Sequence, residues 1–233
     1  MASSDPSLAG HPLLNITEVF YSIQGESTFA GYPCVFIRLA GCNLRCSFCD
    51  TTYAYEEEGT PTSITDLLEY TRRYPSALVQ ITGGEPLLQE GVYPLMEQLL
   101  QANRIVMLET NGSVSLRNVP VGVIKIMDMK CPVSGMSEKM DLANLGILTS
   151  ADELKFVISS RADYDWALNV IETHIHYYND PANLRKRIKI LFSPETGNLK
   201  ASTLAEWILT DGLQVRLQLQ LHRILWPDKD RGC

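Results

Sequence analysis

Apolar and polar positions along the chain follow two alternating patterns. Short continuous apolar runs such as VFIRL, IVML and VIKIM have the composition of buried strands, and the segments between them carry apolar residues at helical spacing. The predicted strands cover residues 34–39, 78–81, 105–108, 123–127, 154–158, 188–192 and 213–219.

Amphipathic helices are predicted in four of the intervening segments. Thr62 or Ser63 begins the first helix, and the fourth covers residues 202–210. A strand followed by a helix, repeated along a chain, predicts an α/β fold with a mostly parallel sheet, whose chemistry gathers where the strands end. The apolar faces of the first three helices consist of Ile64, Leu67, Leu68 and Thr71, then Val92, Leu95, Met96, Leu99 and Leu100, then Ala167, Val170, Ile171 and His174.

The domain organisation predicted from this pattern is simple. Residues 1–12 are rich in Ser, Pro, Gly and Ala without a period, and we expect a flexible N-terminal arm. The folded part begins near Leu13, and no internal repeat interrupts it. We therefore predict one domain over residues 13–233.

Composition and charge narrow the functional classes. The chain of 233 residues is 45% hydrophobic and has a net charge of −7, and no apolar run approaches the ~20 residues that a membrane crossing needs. This excludes a membrane-spanning protein, and the acidic balance argues against general nucleic-acid binding. The first fourteen residues lack the features of a secretory signal, so we expect a cytoplasmic protein that acts on small molecules.

Three of the six cysteines, Cys42, Cys46 and Cys49, form a C-x3-C-x2-C motif after the first predicted strand. Three thiolates on a [4Fe–4S] cluster leave one iron open to a substrate or cofactor, which suggests that such a cluster would be catalytic rather than structural. The alternative from spacing alone is a structural zinc site, which needs a fourth ligand from Cys34, Cys131 or a histidine.

Polar residues and glycines follow every predicted strand, so the strand ends are the candidate site. Arg38 lies within an apolar strand, where an unpaired guanidinium is costly, so it needs a bound anion or a salt bridge with Glu85 or Glu109. The segments after the strands are AGCNLRCSFCDT, TGGEP, ETNG, DMKCP, SPETG and LQLHR.

The cysteine motif, with Phe48 before its last cysteine, resembles that of the radical S-adenosylmethionine (SAM) enzymes. The resemblance implies a full or partial (β/α) barrel, in which the open iron binds SAM and reductive cleavage yields a 5′-deoxyadenosyl radical. The segments FYSIQGES, FIRLAGCNLRCSFCDT, TGGEP, ETNG, DMKCP and LHR, over about residues 15–227, are similar to the 7-carboxy-7-deazaguanine synthase family. This implies conversion of 6-carboxy-5,6,7,8-tetrahydropterin to 7-carboxy-7-deazaguanine with loss of ammonia, in the biosynthesis of queuosine and other 7-deazapurines.

The resemblance also implies roles for individual residues. Cys42, Cys46 and Cys49 would hold the [4Fe–4S] cluster, and Thr51 would bind Mg²⁺. The implied substrate contacts are Ile23, Gln24, Gly25, Glu26, Arg38, Thr82 and His222. The implied SAM contacts are Phe48, Cys49, Asp50, Gly84, Asp128, Met129, Lys130 and Ser193.

The partners that the resemblance implies are a reducing electron donor such as flavodoxin and a second copy of the chain in a homodimer. Two residues depart from the family pattern, since Ser27 stands where a second glycine is frequent and Phe48 where tryptophan is common. The rival hypotheses are an activase that generates a glycyl radical on a partner protein, which shares the three-cysteine loop, and a non-enzymatic metal-binding module.

Overall fold

Residues 13–175 and 187–233, which the computed structural model describes, form a single sheet of nine strands. The strands are β1 Leu14–Ile23, β2 Pro33–Leu39, β3 Thr60–Thr62, β4 Leu78–Gly83, β5 Ile105–Thr110, β6 Ile124–Met129, β7 Glu153–Ile158, β8 Lys189–Pro194 and β9 Arg216–Leu217. Their order across the sheet is β3-β1-β2-β4-β5-β6-β7-β8-β9.

Parallel pairing runs from β2 through β9, whereas β1 is antiparallel to both β2 and β3. Because β3 and β9 lie at the two ends of the order and are not paired with each other in the described structure, the sheet is open. The predicted α/β class, a partial barrel with a mostly parallel sheet, is confirmed.

Helices α2 (Ile64–Arg72), α3 (Val92–Gln101), α4 (Arg161–His174) and α5 (Ala201–Thr210) lie in the connections between successive parallel strands and pack their apolar sides into the main core. Ser63 caps α2 and Ser160 caps α4 by accepting a hydrogen bond from the backbone three residues on. No helix among the described residues has both the length and the apolar character needed to cross a membrane. The helices are α1 Tyr53–Glu56, α2 Ile64–Arg72, α3 Val92–Gln101, α4 Arg161–His174, α5 Ala201–Thr210 and α6 Leu221–Leu225, with 3₁₀ turns at Pro86–Leu88, Leu116–Asn118, Pro132–Ser134, Ser137–Lys139 and Leu142–Gly146.

The strand and helix predictions miss β1 and the short elements β3, α1 and α6, and they differ from the structure in two further places. The ten-residue strand β1 was not predicted, because its burial lacks the alternation that marks a half-buried strand. The strand predicted over residues 213–219 is wrong except at Arg216–Leu217, since the sheet ends there. His174 is exposed, so the apolar face of α4 ends at Ile171. The predicted arm, residues 1–12, lies outside the described residues.

The face of the sheet opposite the helices changes character along the strands. Near their amino ends it is apolar, with a buried cluster of Phe20, Cys34, Phe36, Leu78, Met107 and Ile126 that Phe29 covers. Two residues further along, the same face of neighbouring strands carries Arg38, Thr82 and Glu109, because side chains two apart share a face. The polar layer therefore lies at the carboxyl ends of the parallel strands.

Candidate active site

A cavity of about 600 Å³ opens at the carboxyl ends of the parallel strands. Its lining includes every predicted site residue except Ile23 and Met129. Met129 is fully buried in the main core, because it points to the opposite face from Asp128 and Lys130. Ile23 ends β1, where it pairs with Pro33. The predicted residues that the fold brings together are Gln24, Gly25, Glu26, Arg38, Cys42, Cys46, Phe48, Cys49, Asp50, Thr51, Thr82, Gly84, Asp128, Lys130, Ser193 and His222.

The cysteine loop follows β2 and is held from both sides. Gly41 donates a backbone hydrogen bond to Ala54 at 2.6 Å, and Ser47 donates to the carbonyls of Ser134 and Val133 at 3.1 and 2.9 Å. Leu44 is buried in the core between the first two cysteines. The loop is therefore fixed by its own backbone and by the segment after β6.

The three motif cysteines are free thiols that line the same cavity. Burial raises the pKa of Cys46 and Cys49, and the ammonium of Lys130 opposes this by favouring the thiolates. Cys42 Sγ accepts contacts from the Leu44 amide at 3.4 Å and from Asn111 Nδ2 at 3.8 Å. Thiols with nearby N–H donors and a lysine suit an iron–sulfur cluster.

The fourth ligand that a zinc site requires is not supplied by the cysteines named for it. Cys34 lies in the apolar cluster under the cavity and Cys131 in the main core, and neither lines the cavity. Within residues 13–175 and 187–233, no three His, Cys, Asp or Glu side chains are grouped to hold one metal ion. Neither cysteine named for the zinc alternative is therefore placed to complete a four-ligand site.

The TGGEP turn packs directly against the cysteine loop. A Cβ atom on Gly84 would lie 2.2 Å from the Gly41 carbonyl oxygen and 2.6 Å from Cys42 Cβ, so no larger residue fits without a backbone shift. Glu85 is fully buried behind this turn and accepts from Thr110 Oγ1 and the Asn111 amide at 2.9 and 2.7 Å. Burial raises the pKa of Glu85, and these donors partly oppose the shift.

Of the two alternatives for Arg38, a bound anion or a salt bridge with Glu85 or Glu109, the second is not formed, because the salt bridge of Arg38 is to another residue. Arg38 Nε instead donates to Glu18 Oε1 at 2.8 Å, because Glu18 lies opposite Arg38 in the antiparallel β1–β2 pair. Tyr53 also donates to this Glu18 oxygen at 2.9 Å. Although burial disfavours the charged guanidinium, Tyr53 and Glu18 raise the pKa of Arg38, so the cation is held at the cavity wall.

The Q-G-E segment after β1 enters the cavity beside α6. Gln24 donates to Gln80 through Nε2 and accepts from the Glu26 amide at 3.2 Å, which fixes its orientation. A Cβ on Gly25 would lie 2.2 Å from His222 Nδ1, so only glycine permits this packing. Burial lowers the pKa of His222, which favours the neutral imidazole.

Ser27 has a φ of 68°, a conformation that glycine adopts more readily than serine. Its hydroxyl accepts from the Phe29 amide at 3.0 Å, which supports the turn locally. A glycine at this position would adopt the same backbone angle with less strain.

Lys155 is a site residue that the sequence reasoning missed. Its ammonium donates to Glu26 and to Glu109 Oε1, the latter at 3.2 Å, and lies 3.6 Å from Asp128 Oδ2. Burial opposes the charge, but these three carboxylates raise the pKa of Lys155 well above its usual value. The signal was present in the sequence, since Lys155 interrupts the apolar strand ELKFVI as Arg38 interrupts VFIRL.

Two further carboxylates present oxygen atoms to the cavity. Asp128 pairs with Lys130 at 2.9 Å, and its buried Oδ1 has no hydrogen-bond partner among the described residues. Asp50 accepts from the Thr51 hydroxyl at 2.7 Å. The carboxylate oxygens of Asp128 and Asp50 are suited to accept hydrogen bonds from ligand hydroxyls or to bind a hard cation.

Comparison with protein families and relatives agrees with this geometry. The model of the Radical SAM superfamily matches residues 36–177. A 7-carboxy-7-deazaguanine synthase from Chlorobaculum tepidum is 43% identical over 222 residues, covering 94% of this chain and 97% of that protein. Another from Koribacter versatilis is 41% identical, covering 94% of this chain and all of that protein.

Solved structures are similar in fold. QueE from Escherichia coli superposes with a TM-score of 0.71 at 23% identity, covering 95% of this chain and all of that chain. Streptococcus suis SuiB bound to S-adenosylmethionine superposes with a TM-score of 0.53 at 12% identity, covering 76% of this chain and 48% of that one.

Proposed function

This chain belongs to the 7-carboxy-7-deazaguanine synthase family of the radical SAM superfamily, and we propose that it makes 7-carboxy-7-deazaguanine from 6-carboxy-5,6,7,8-tetrahydropterin with loss of ammonia. It is a radical SAM lyase of 7-deazapurine biosynthesis. Membership of the superfamily implies a [4Fe–4S] cluster and SAM.

The observation that carries this proposal is that one cavity joins the three-cysteine loop to a fixed set of polar groups at the ends of the strands. When bound, the cluster and SAM supply hydrogen-atom abstraction. The protein holds the reacting groups close together and excludes water, which is the usual division of labour in cofactor enzymes.

Arg38 and Glu26 are the groups we assign to the two ends of the pterin. Arg38 uses only Nε on Glu18 among the hydrogen bonds of the described residues, so its terminal nitrogens suit the substrate carboxylate. Glu26 Oε1 is buried and has no partner in the described structure, so it suits the N–H donors of the pterin ring. Gln24, Gly25, Thr82 and His222 complete this wall, and Ile23 supports it from the end of β1.

We assign SAM to the opposite wall. The packing of Gly84 on Gly41 keeps the backbone of TGGEP close to Cys42, where the methionine end would bind. The unpartnered Asp128 oxygen suits a ribose hydroxyl. Phe48, Cys49, Asp50, Lys130 and Ser193 line the same wall, and Met129 contributes from the core side.

We also propose Mg²⁺ beside the substrate carboxylate, with the Thr51 hydroxyl as its protein ligand. Asp50 lies next to this hydroxyl, and its pKa is lowered because the Thr51 hydrogen bond and the charge of Lys155 outweigh desolvation. A hard cation that keeps several waters and takes ligands from the substrate requires few ligands from the protein.

The remaining proposals concern assembly and surroundings. We propose a cytoplasmic enzyme with a single domain over residues 13–233, a homodimer, that receives electrons from a reducing donor such as flavodoxin. The single sheet across the described residues supports the domain proposal. Gel filtration and cross-linking test the dimer.

The test is an anaerobic reconstitution with iron, sulfide, reductant, SAM, Mg²⁺ and 6-carboxytetrahydropterin, followed by mass spectrometry. We expect 7-carboxy-7-deazaguanine to form while SAM is not consumed. Release of deoxyadenosine without this product would overturn the substrate assignment and favour a different substrate or a partner protein.

One variant tests whether the pterin and SAM bind to different walls of the cavity. Arg38→Ala should weaken pterin binding by about 10- to 100-fold, the effect expected from loss of charge-assisted hydrogen bonds, with little change in SAM affinity. Equal loss of both affinities would contradict the role given to Arg38.

A further inference from the structure

Among the described residues, Lys155 is the only lysine or arginine that is buried, with 5% of its surface exposed. An isolated buried ammonium is unfavourable, so its position depends on the groups around it. Those groups are three carboxylates from three other segments of the chain: Glu26 after β1, Glu109 on β5 and Asp128 on β6.

The three carboxylates differ in their dependence on Lys155. Asp128 also pairs with Lys130 at 2.9 Å, and Glu109 also accepts from Gln80 and Thr82 at 2.8 and 3.2 Å. Among the described residues, Glu26 has only Lys155 on its side chain: Oε2 binds the ammonium and Oε1 is unpartnered. Loss of Lys155 would therefore affect Glu26 most.

The same strand also holds the loop that carries Glu26. Glu153 lies two residues before Lys155 on the same face of β7 and accepts from the Thr28 amide at 2.9 Å. β7 thus contacts the Q-G-E loop at two points, one that anchors its backbone and one that holds the Glu26 carboxylate.

We propose that Lys155 is a positioning residue that fixes the Glu26 carboxylate, through one oxygen, so that the other oxygen faces the pterin. The inference rests on the proposed function and adds a residue to its substrate wall. Because Asp128 keeps Lys130, the effect of Lys155 falls on pterin binding rather than on SAM binding.

The experiment measures anaerobic pterin and SAM dissociation constants by calorimetry on cluster-reconstituted protein. Lys155→Met and Glu26→Gln should each weaken pterin binding by about 10- to 100-fold. If Lys155 acts through Glu26, the double variant should bind within about threefold of the weaker single variant, because the two changes remove the same interaction.

The matched control is Lys125→Met, which removes a lysine from a pair with buried Asp152, 3.1 Å apart and away from the cavity. It should lose stability and keep its pterin affinity. If Lys155→Met does not fold, Lys155→Gln, whose amide can still donate to Glu26, replaces it and should give a smaller loss of affinity.

Three outcomes overturn the proposal: multiplicative losses in the double variant, wild-type pterin affinity in the Lys155 variant, or an equal loss of SAM affinity. If the wild-type protein neither binds nor converts the pterin, the proposed function fails. The role of Lys155 is then decided by a crystal structure of the variant, in which Glu26 should be displaced and an unmoved carboxylate would contradict the inference.

Discussion

Arg38 and Lys155 both put a positive charge within an otherwise apolar strand, and each is paired with carboxylates from other segments of the chain. At such positions a single side chain decides both stability and chemistry, since removing one partner leaves the other charge buried and unpaired. The cysteines and glycines around them act through thiol chemistry and close packing, and they can be tested individually.

We expect each of the three motif cysteines to be required for binding of the iron–sulfur cluster. Replacing Cys42, Cys46 or Cys49 by Ala should abolish the iron–sulfur absorbance after reconstitution, because each thiolate holds one iron. Cys34→Ala, in the apolar cluster under the cavity, should retain full iron content and lose about 1 kcal/mol of stability. Loss of iron in the Cys34 or Cys131 variant would instead favour a four-ligand metal site.

The TGGEP turn packs on the cysteine loop so closely that we expect a side chain at Gly84 to disturb both. Gly84→Ala would bring its Cβ to 2.2 Å from a backbone oxygen, so the loop must shift and stability should fall by about 1–3 kcal/mol. SAM affinity should fall as well. Gly146→Ala, where an added Cβ meets nothing within 4 Å, is the control and should leave SAM affinity unchanged. Calorimetry and urea unfolding measure both effects.

At the scale of elements, β7 connects the sheet to the substrate loop. Glu153 accepts both the backbone and the hydroxyl of Thr28 on one oxygen, and its other oxygen is buried without a partner among the described residues. Burial is the main cause that raises the pKa of Glu153, and the Thr28 hydrogen bonds oppose it. The contact between Glu153 and Thr28 therefore depends on an acceptor oxygen at residue 153 more than on a negative charge there.

Because the pKa of Glu153 is raised in the folded protein, we expect its contribution to stability to depend on pH. A carboxyl whose pKa is raised by folding contributes stability below its unfolded pKa, ~4.3, and this contribution is lost as the pH rises through the folded pKa. Glu153→Gln, which keeps the acceptor, should remove this component, so its free energy of unfolding should fall less than that of the wild type between pH 4 and 8.

Glu153→Val is the contrasting variant. It leaves the Thr28 donors unpaired, so we expect a loss of about 1–3 kcal/mol at every pH. Urea unfolding at several pH values measures both variants, and a pH slope in Glu153→Gln as steep as in the wild type would contradict the assignment.

At the scale of the whole molecule, the open sheet is most protected at its centre. β4, β5 and β6 occupy the middle of the nine-strand order, while β3 and β9 lie at the two edges. Local opening requires little free energy at edges and approaches the global free energy of unfolding in central strands.

Amide hydrogen exchange should follow this order. We expect the slowest exchange in Leu78–Gly83, Ile105–Thr110 and Ile124–Met129, and the fastest strand exchange in Thr60–Thr62 and Arg216–Leu217. Mass spectrometry of peptic peptides after deuterium labelling measures it. Equal protection of edge and central strands would contradict the open sheet and indicate a closed barrel or a partner on the edges.

Local patterns in the sequence predicted the parallel strands β2 and β4 to β8 and the four longer helices, because continuous apolar runs and helical spacing are properties of neighbouring residues. The three-cysteine motif and several strand-end segments that line the cavity were also predicted, since parallel strands end at one edge, whereas the roles of individual residues came from the family resemblance. The strand β1 and the pairing of Arg38 with Glu18 were not, because an antiparallel register joins residues 20 positions apart in the chain.

Only the tertiary structure assembled the group of Glu26, Glu109, Asp128 and Lys155, whose members lie on four segments. The residue types along the chain establish which positions can carry charge, bind iron or form strands. The fold decided which of those charges share one buried space, and electrostatic energy in a buried site depends on that separation rather than on position along the chain.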